Sequence, residues 1–520
     1  METKNTYKAV VKFEHAMRGS YSDLSYRPVF RASAIFFVLV SKHIDTLISF
    51  MNYWKEKNDN DQVSAMVTLR DGNGQKIYRE FFPIKSFVYQ FSVRELIQPL
   101  LDLMGSIEIE LFSSQDLKYS FPAIEAFYES PDGVSFVHSN QRVFGDIEDM
   151  DRGIKLNDWQ TGFDIYANNQ QSGYITVING QRAVPNAKIE FLVFNSAGEV
   201  LKDTISLGNL PAYASRMVLI KDIPDAEDFL KDEVGFCKVK IDTFGIFMRI
   251  ACGNIYTNHR RMTVTHSFYD CTNDNEYYQE SEISEEEITC FTPISLIDGL
   301  ETELILYPTY SRSTLIPSLD CFAKDGSLRK KITDIGRHVS PDTKMLRINI
   351  RELLRKHQVP ADLNSYCFVL KSVGNKIPTR LAHGLNYYKT GIGCNINDSI
   401  WLNQGYGKRS RIFVWGAGIY REGSKNWLLV SHFSKIRGIQ EKANITIKIY
   451  AKTGVIIEKT YTTHHPTTLN IALEELISES RYLPRENEVL WYTAESSCPN
   501  YISKQIHISK TGFVAGCHSF

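Results

Sequence analysis

Residues 445–463 read ITIKIYAKTGVIIEKTYTT. Two runs rich in β-branched and aromatic residues flank Gly454, and a glycine between such runs marks a hairpin because it takes positive φ without steric cost. In the first run Ile445, Ile447 and Ile449 alternate with Thr446 and Lys448, which predicts a strand with one buried face. Residues 189–207, IEFLVFNSAGEVLKDTISL, carry the same pattern around Gly198. TLRDGNG at 68–74 and CFAKDG at 321–326 supply Gly74 and Gly326. The four glycines are 124, 128 and 128 residues apart. Equal spacing of a whole pattern is the signature of an internal repeat.

Two apolar columns keep their phase with these glycines. Val67, Phe191, Leu319 and Ile447 stand seven residues upstream, and Leu69, Val193, Cys321 and Ile449 stand five upstream. The residues between them, Thr68, Leu192, Asp320 and Lys448, are mixed. A second landmark follows each hairpin: SVRELIQPL, INIRELLRK and NIALEELIS read as a strand end passing into a short helix. In the second copy LIKDIPDAEDFL takes that place, broken by Pro224. A third landmark closes each unit: VSFVHSN at His138, MTVTHSFYD at His266, GIGCNIN at Asn395 and VAGCHSF at His518, with spacings of 128, 129 and 123.

The expected fold is therefore all-β with a few short helices: four tandem antiparallel β-sandwich domains related by a repeat of about 125 residues. The patterning sets their bounds at 1–145 (with an N-terminal extension), 155–272, 288–397 and 408–520. An acidic run over 271–287, with Glu276, Glu280 and Glu285 and no Lys or Arg, reads as a solvated connector. The expected architecture is immunoglobulin-like only in the general sense of a sandwich, since no Cys-Trp-Cys spacing is present.

Composition excludes several classes. The 520 residues are 43% hydrophobic with mean hydropathy −0.24, too apolar for disorder and too polar for a membrane bundle. Fifty-nine basic residues balance 60 acidic ones, and no basic stripe interleaves with aromatics, so neither nucleic acid nor an anionic membrane is an expected partner. The most apolar run, Ala34 to Val40, is too short to cross a bilayer and reads as a buried strand, so no membrane insertion is expected. The first twenty residues lack the apolar core of a secretory signal. Nine cysteines are scattered without a CxxC, which favours reduced thiols and a cytoplasmic setting, with export by another route or a virion as the alternatives. No metal centre and no cofactor are expected: HExxH, EF-hand, P-loop and dinucleotide fingerprints are all missing, and His464–His465 has no ligand partner at a suitable spacing.

Polar candidates fall in two groups. The closing column, His138, His266, Asn395 and His518, recurs with the glycines Gly74, Gly198, Gly326 and Gly454, and recurrence in every unit points to a structural role. A catalytic pair of each histidine with its following serine is disfavoured, because adjacent strand residues point to opposite faces. The densest polar group is Arg249, Asn254, His259, Arg261 and His266 in the second copy, echoed by Arg380 and Asn386 in the third. Arginine and histidine together suit a phosphate, carboxylate or sugar ligand. Tyr256, Tyr387 and Tyr388 cluster outside the strand patterns; plain β propensity is the first account of them and a recognition role the second.

Three functions fit this reading. The first is a non-enzymatic protein that binds a glycan or protein surface, or acts as a scaffold. The second is a carbohydrate-processing enzyme with a site in or next to the second copy. The third is a structural subunit of a filament, surface layer or virion. Repetition and the lack of a convergent catalytic motif rank the binder above the enzyme, and oligomeric state is left open.

Overall fold

A computed structural model describes residues 28–99, 102–145, 159–269, 277–278, 289–308, 314–333, 335–336, 344–363, 365–373, 377–378, 381–389, 394–400, 412–433, 442–497 and 501–519. The described residues are mostly strand, with a few short helices, so the all-β expectation holds.

The sheets come in pairs. In the first pair, Arg31–Val40, Leu103–Ser113, Val63–Asp71 and Lys76–Pro83 lie side by side in that order, and Val88–Ser92, Asp45–Met51, Ile124–Ser130 and Gly133–His138 form the companion sheet. Numbered along the chain, the orders are first–sixth–third–fourth and fifth–second–seventh–eighth. The last pair has the same two orders. Its strands are Ile412–Tyr420, Glu488–Ser496, Lys442–Ala451 and Gly454–His464, then Thr467–Ala472, Lys425–His432, Tyr501–Ile508 and Val514–His518. The third repeats them again, with Thr289–Ile294, Ser365–Ser372, Leu315–Phe322 and Leu328–Ile332 over Leu346–Asn349, Glu301–Leu306, Leu381–Tyr388 and Cys394–Ile400. The second pair departs in one place. Its first strand is split into Gln160–Thr161 and Asp164–Ile165, and Phe268–Tyr269 adds a strand outside the first piece. The long strands pair antiparallel.

Residues from both sheets of a pair fill one core. In the fourth, Leu428 and Val430 meet Ile445, Ile447, Ile449, Leu490 and Tyr492. The two apolar columns read from the sequence are buried in all four copies: Val67, Phe191, Leu319 and Ile447, and Leu69, Val193, Cys321 and Ile449. Each such side chain contributes about 1.5–3 kcal/mol when withdrawn from water. Thr68 and Asp320, expected on a mixed face, are buried as well. Thr68 accepts from Arg79 Nε at 3.0 Å, and Asp320 faces Lys331 at 3.6 Å.

The turn glycines have φ of 81°, 84°, 80° and 131° at Gly74, Gly198, Gly326 and Gly454, the region that favours glycine. A register shift directly follows Leu69, Cys321 and Ile449, so three hairpins bulge at the same column. The helical landmark is also present, as Val93–Leu96, Ile350–Lys356 and Leu473–Glu479. In the second copy a 3-10 turn at Ile220–Asp222 precedes a helix at Ala226–Leu230. The second helical residue tethers the loop between the first two strands. Arg94 donates to Ser41 O and Ile44 O at 2.7 and 2.8 Å, and Arg351 donates to Ile297 O and Leu300 O at 2.7 and 2.6 Å. In the fourth copy Glu474 reverses the polarity, accepting from Asn426 N at 2.9 Å.

By contact density the chain forms two units, Met1–Pro131 with Val137–Asn195 and Val200–Tyr269, and Asp132–Phe136 with Ser196–Glu199 and Asp270–Phe520. Within the first, the Gly74 turn of the first pair seats on Ala212–Ala214 of the second. Ser215 N donates to Gly72 O at 3.0 Å, and Arg216 Nη1 donates to the same carbonyl. Beside this seat lies a buried charge cluster that sequence reading missed. Arg70 Nη1 is 2.9 Å from Glu108, and its guanidinium covers the Tyr213 ring at 4.1 Å. Arg31 reaches Glu108 at 3.2 Å and Glu110 at 2.8 Å. Burial and the neighbouring Glu110 push the Glu108 carboxyl up, against the opposing pull of Arg70 and Arg31. Within the second unit, the Gly326 turn of the third pair seats on His465–Pro466 of the fourth in the same way.

Candidate functional site

Strand register assigns equivalent positions without reference to side chains. On the second strand, Leu47, Tyr174, Glu303 and Trp427 face the residue that begins each helical turn: Ser92, Leu219, Asn349 and Ala472. On their other side they face Phe127, Gly253, Asn386 and Ile506 of the seventh strand. The next residues along that strand are Tyr128, Asn254, Tyr387 and His507.

This column is a polar strut between the sheets. Tyr128 OH donates to Phe37 O at 2.8 Å, and Tyr387 OH to Ser295 O at 3.1 Å. Asn254 Nδ2 donates to Asp164 O at 3.0 Å while its Oδ1 accepts from Tyr166 N at 3.1 Å. In the fourth copy the strut has two links: His507 Nδ1 lies 3.0 Å from Asn426 Oδ1, and Asn426 Nδ2 donates to Ile419 O at 3.0 Å. An amide oxygen only accepts, so Nδ1 carries the His507 proton. Burial and Arg421 lower the His507 pKa to about 3, which keeps the ring neutral at pH 7. Tyr387 is a buried strand residue, which fits β propensity rather than recognition. Sequence reading missed the column because tyrosine, asparagine and histidine share no pattern.

Replacing Tyr128 or Tyr387 with phenylalanine keeps the ring and removes the strut. Each change is expected to cost about 1–2 kcal/mol, read as a lowered denaturation midpoint with unchanged far-ultraviolet circular dichroism. A loss below a few tenths would mean that the hydroxyls do not brace the sheets.

The closing column lies two residues before the strut's neighbour. His266 faces Ala251 and His518 faces Lys504. The serine after each histidine makes one repeated bond: Ser139 N donates to Ile124 O, Ser267 N to Ile250 O and Ser519 N to Ser503 O, at 2.9, 2.9 and 3.0 Å. Ser139 Oγ also donates to Pro122 O, and Ser267 Oγ to Gln160 Oε1. In the third copy the register differs from the sequence alignment. Asn397, opposite Gly384, occupies the histidine position, and Asn395 stands opposite Asn386. The motif GIGCNIN contains two asparagines of the same strand parity, and the pairing register selects the second.

In the first unit His138 and His266, both 1% exposed, meet edge to face with centroids 4.8 Å apart. His266 Nδ1 lies 3.0 Å from Ser267 O and therefore carries the proton, which leaves Nε2 as the lone-pair nitrogen. The Arg249 guanidinium lies 4.5 Å from the centre of the Phe268 ring, and Phe268 contacts His266 at 5.0 Å. Arg249 is buried, and its carbonyl accepts from Asn140 Nδ2 at 2.9 Å. The structure thus brings together His138, His266 and Arg249. It separates Asn254, which is spent in the strut.

His259 and Arg261 lie on the turn between the seventh and eighth strands. His259 is exposed with φ of 55°, and Arg261 covers the Tyr256 ring at 5.5 Å. Asn386 donates to Glu303 Oε2 at 3.4 Å within the second unit. Arg380 lies outside the described residues, as do the N-terminal extension and most of the acidic connector. Cys237, Cys252, Cys321, Cys367 and Cys517 are buried thiols, and burial pushes Cys321 up to about 11, far from the thiolate that nucleophilic chemistry requires.

Fold and positions together define an all-β protein of paired antiparallel sheets braced by recurrent polar struts. No family model and no curated protein matches the chain. Solved structures do match it weakly. A tetra-tandem repeat from the extending region of a large adhesion protein is 9% identical over 94% of this chain and 98% of that one, with a TM-score of 0.09. A glycoside hydrolase of family 32 from Bifidobacterium adolescentis is 7% identical over 94% and 95%, with a TM-score of 0.13. For a β-glucuronidase of Parabacteroides merdae the match is 8% over 47% of this chain and 28% of that one, with a TM-score of 0.11. Likeness this loose carries nothing about function. Among the described residues, no helix is long and apolar enough to cross a membrane.

Proposed function

We propose that the chain is a non-enzymatic scaffold of four tandem sandwich modules, bounded near 1–145, 155–272, 288–397 and 408–520, that presents loops for binding a glycan or protein surface. The observation carrying this reading is the recurrence of the strut and of the serine bond. The polar residues that repeat are used by the fold itself, which leaves recognition to groups that do not repeat. The exposed turn Thr257–Arg260, followed by half-buried Arg261, is the binding surface we assign. It offers guanidinium and imidazole donors beside the Tyr256 ring, a combination that suits sugar hydroxyls and carboxylates. Buried thiols suit a reducing, cytoplasmic compartment.

The test is a glycan array probed with the full chain, alongside light scattering. Retention of a restricted set of acidic or neutral glycans is expected, reduced at least tenfold in the paired variant His259→Ala, Arg261→Ala, whose circular dichroism matches the parent. Hydrolysis of a glycoside by the purified chain would overturn the non-enzymatic reading. Binding unaffected by the paired variant would remove this turn from it.

A further inference from the structure

The two Gly-turn seats are built alike but differ in chemistry, and the difference falls on one strand position. Five residues beyond Tyr174 stands Asn179, and five beyond Trp427 stands His432. Asn179 is amide-bonded to its surroundings: Nδ2 donates to Arg182 O and Pro211 O at 2.7 and 2.9 Å, and Oδ1 accepts from Phe244 N at 3.0 Å. None of these groups titrates. His432 is fully buried, with Nδ1 at 3.4 Å from Thr463 Oγ1 and with Nε2 lacking a hydrogen-bond partner. Its ring meets that of His465 edge to face at 5.3 Å, and His465 carries the carbonyl on which the Gly326 turn rests.

We propose that the seat between the third and fourth sheet pairs is an acid-sensitive latch, held shut by neutral His432 and released when that ring gains a proton, while the corresponding strand position at the Gly74 seat, Asn179, carries no titratable group.

Among the described residues, no carboxylate pairs with an imidazolium at His432. Thr467 faces His432 from the fifth strand and Tyr501 from the seventh. Thr463 is the penultimate residue of the fourth strand. Next along the chain, Phe433 packs on Cys367 and Val369 of the third pair and on Phe322, 5.6 Å between centroids. In the seated hairpin, Asp325 is engaged by Ser327 N at 2.9 Å and by Arg329 at 3.6 Å. His465 is the titratable group whose charge acts on His432, and it acts against protonation. Burial and His465 together lower the His432 pKa to about 4. An opened seat returns the ring to water, where an ordinary histidine titrates near 6.5. The closed seat therefore binds fewer protons than the open one. Its stability is complete above pH 6.5 and falls as pH drops from 6.5 to 4. Opening rises by up to about two orders of magnitude across that window.

Hydrogen exchange of the full chain tests this, with rates corrected for the intrinsic effect of pH. Amides of residues 319–328 and 463–468 are expected to exchange at least tenfold faster at pH 4.5 than at pH 7. His432→Gln is expected to abolish the difference. Should that variant not fold, His465→Gln serves: it removes the opposing charge, so the pKa of His432 in the closed seat rises toward its open value and the acid-driven gain in exchange shrinks. Equal protection at both pH values, acid opening that persists in His432→Gln, or acid opening undiminished in His465→Gln would each overturn the latch.

Discussion

Gly74→Ala is expected to cost about 3 kcal/mol and to lower the melting transition of the first unit alone. Two penalties add. Alanine at φ 81° pays about 1 kcal/mol for the left-handed conformation. A Cβ there would also overlap the Ala212 carbonyl oxygen and lie 2.9 Å from the Tyr213 carbonyl carbon, so the backbone of the seat must move. Gly326→Ala repeats the experiment in the second unit, where the Cβ would overlap His465 O and lie 2.8 Å from the His465 carbonyl carbon. Gly208 and Gly299 supply the control. Their φ values are 63° and 79°, yet a Cβ at either meets nothing within 4 Å. Alanine at those sites is expected to cost only about 1 kcal/mol. Calorimetry on the four variants separates the contributions. Equal losses at all four would show that the seats contribute nothing beyond backbone conformation.

The second large effect is expected at the charge cluster. Glu108 is 2% exposed and Arg70 5%. Removing Glu108 strands Arg70 in a nearly dry site, and removing Arg70 leaves Glu108 with Arg31 alone. Arg70→Met and Glu108→Leu are each expected to cost about 3 kcal/mol. The double variant retains the Arg31–Glu110 pair at 2.8 Å and replaces the buried pair by apolar side chains of similar size. It is expected to recover about 2 kcal/mol relative to the sum of the single losses, because neither charge is then left alone. Denaturant midpoints for the three variants complete the cycle. Strictly additive losses would mean that Arg70 and Glu108 act independently, contrary to their 2.9 Å contact.

The hairpins were legible because their physics is local. Gly454 between two alternating runs specifies a turn and a buried face within a dozen residues, and the structure buries Ile447 and Ile449 together. The helical landmark was legible for a similar reason. Ser92 and Asn349 accept from Glu95 N and Glu352 N as ordinary caps. The candidate site was legible only in part. His138 and His266, 128 residues apart, were seen to recur, but not to meet. Asn254 stood in the richest polar run of the chain and yet is a brace, since its partners Asp164 and Tyr166 lie about ninety residues away. Asn395 was aligned by composition, and a two-residue difference in pairing register moved the histidine position to Asn397.

Periodicity, turn chemistry and repetition at a constant interval determined the class of fold, since alternation and glycine conformation act between neighbours in the chain. Which polar groups meet was decided by tertiary structure alone. Arg70 finds Tyr213, and Gly326 finds His465, through packing between sheet pairs more than a hundred residues apart. A contact of that kind depends on where two surfaces come to rest, and no local spacing encodes it.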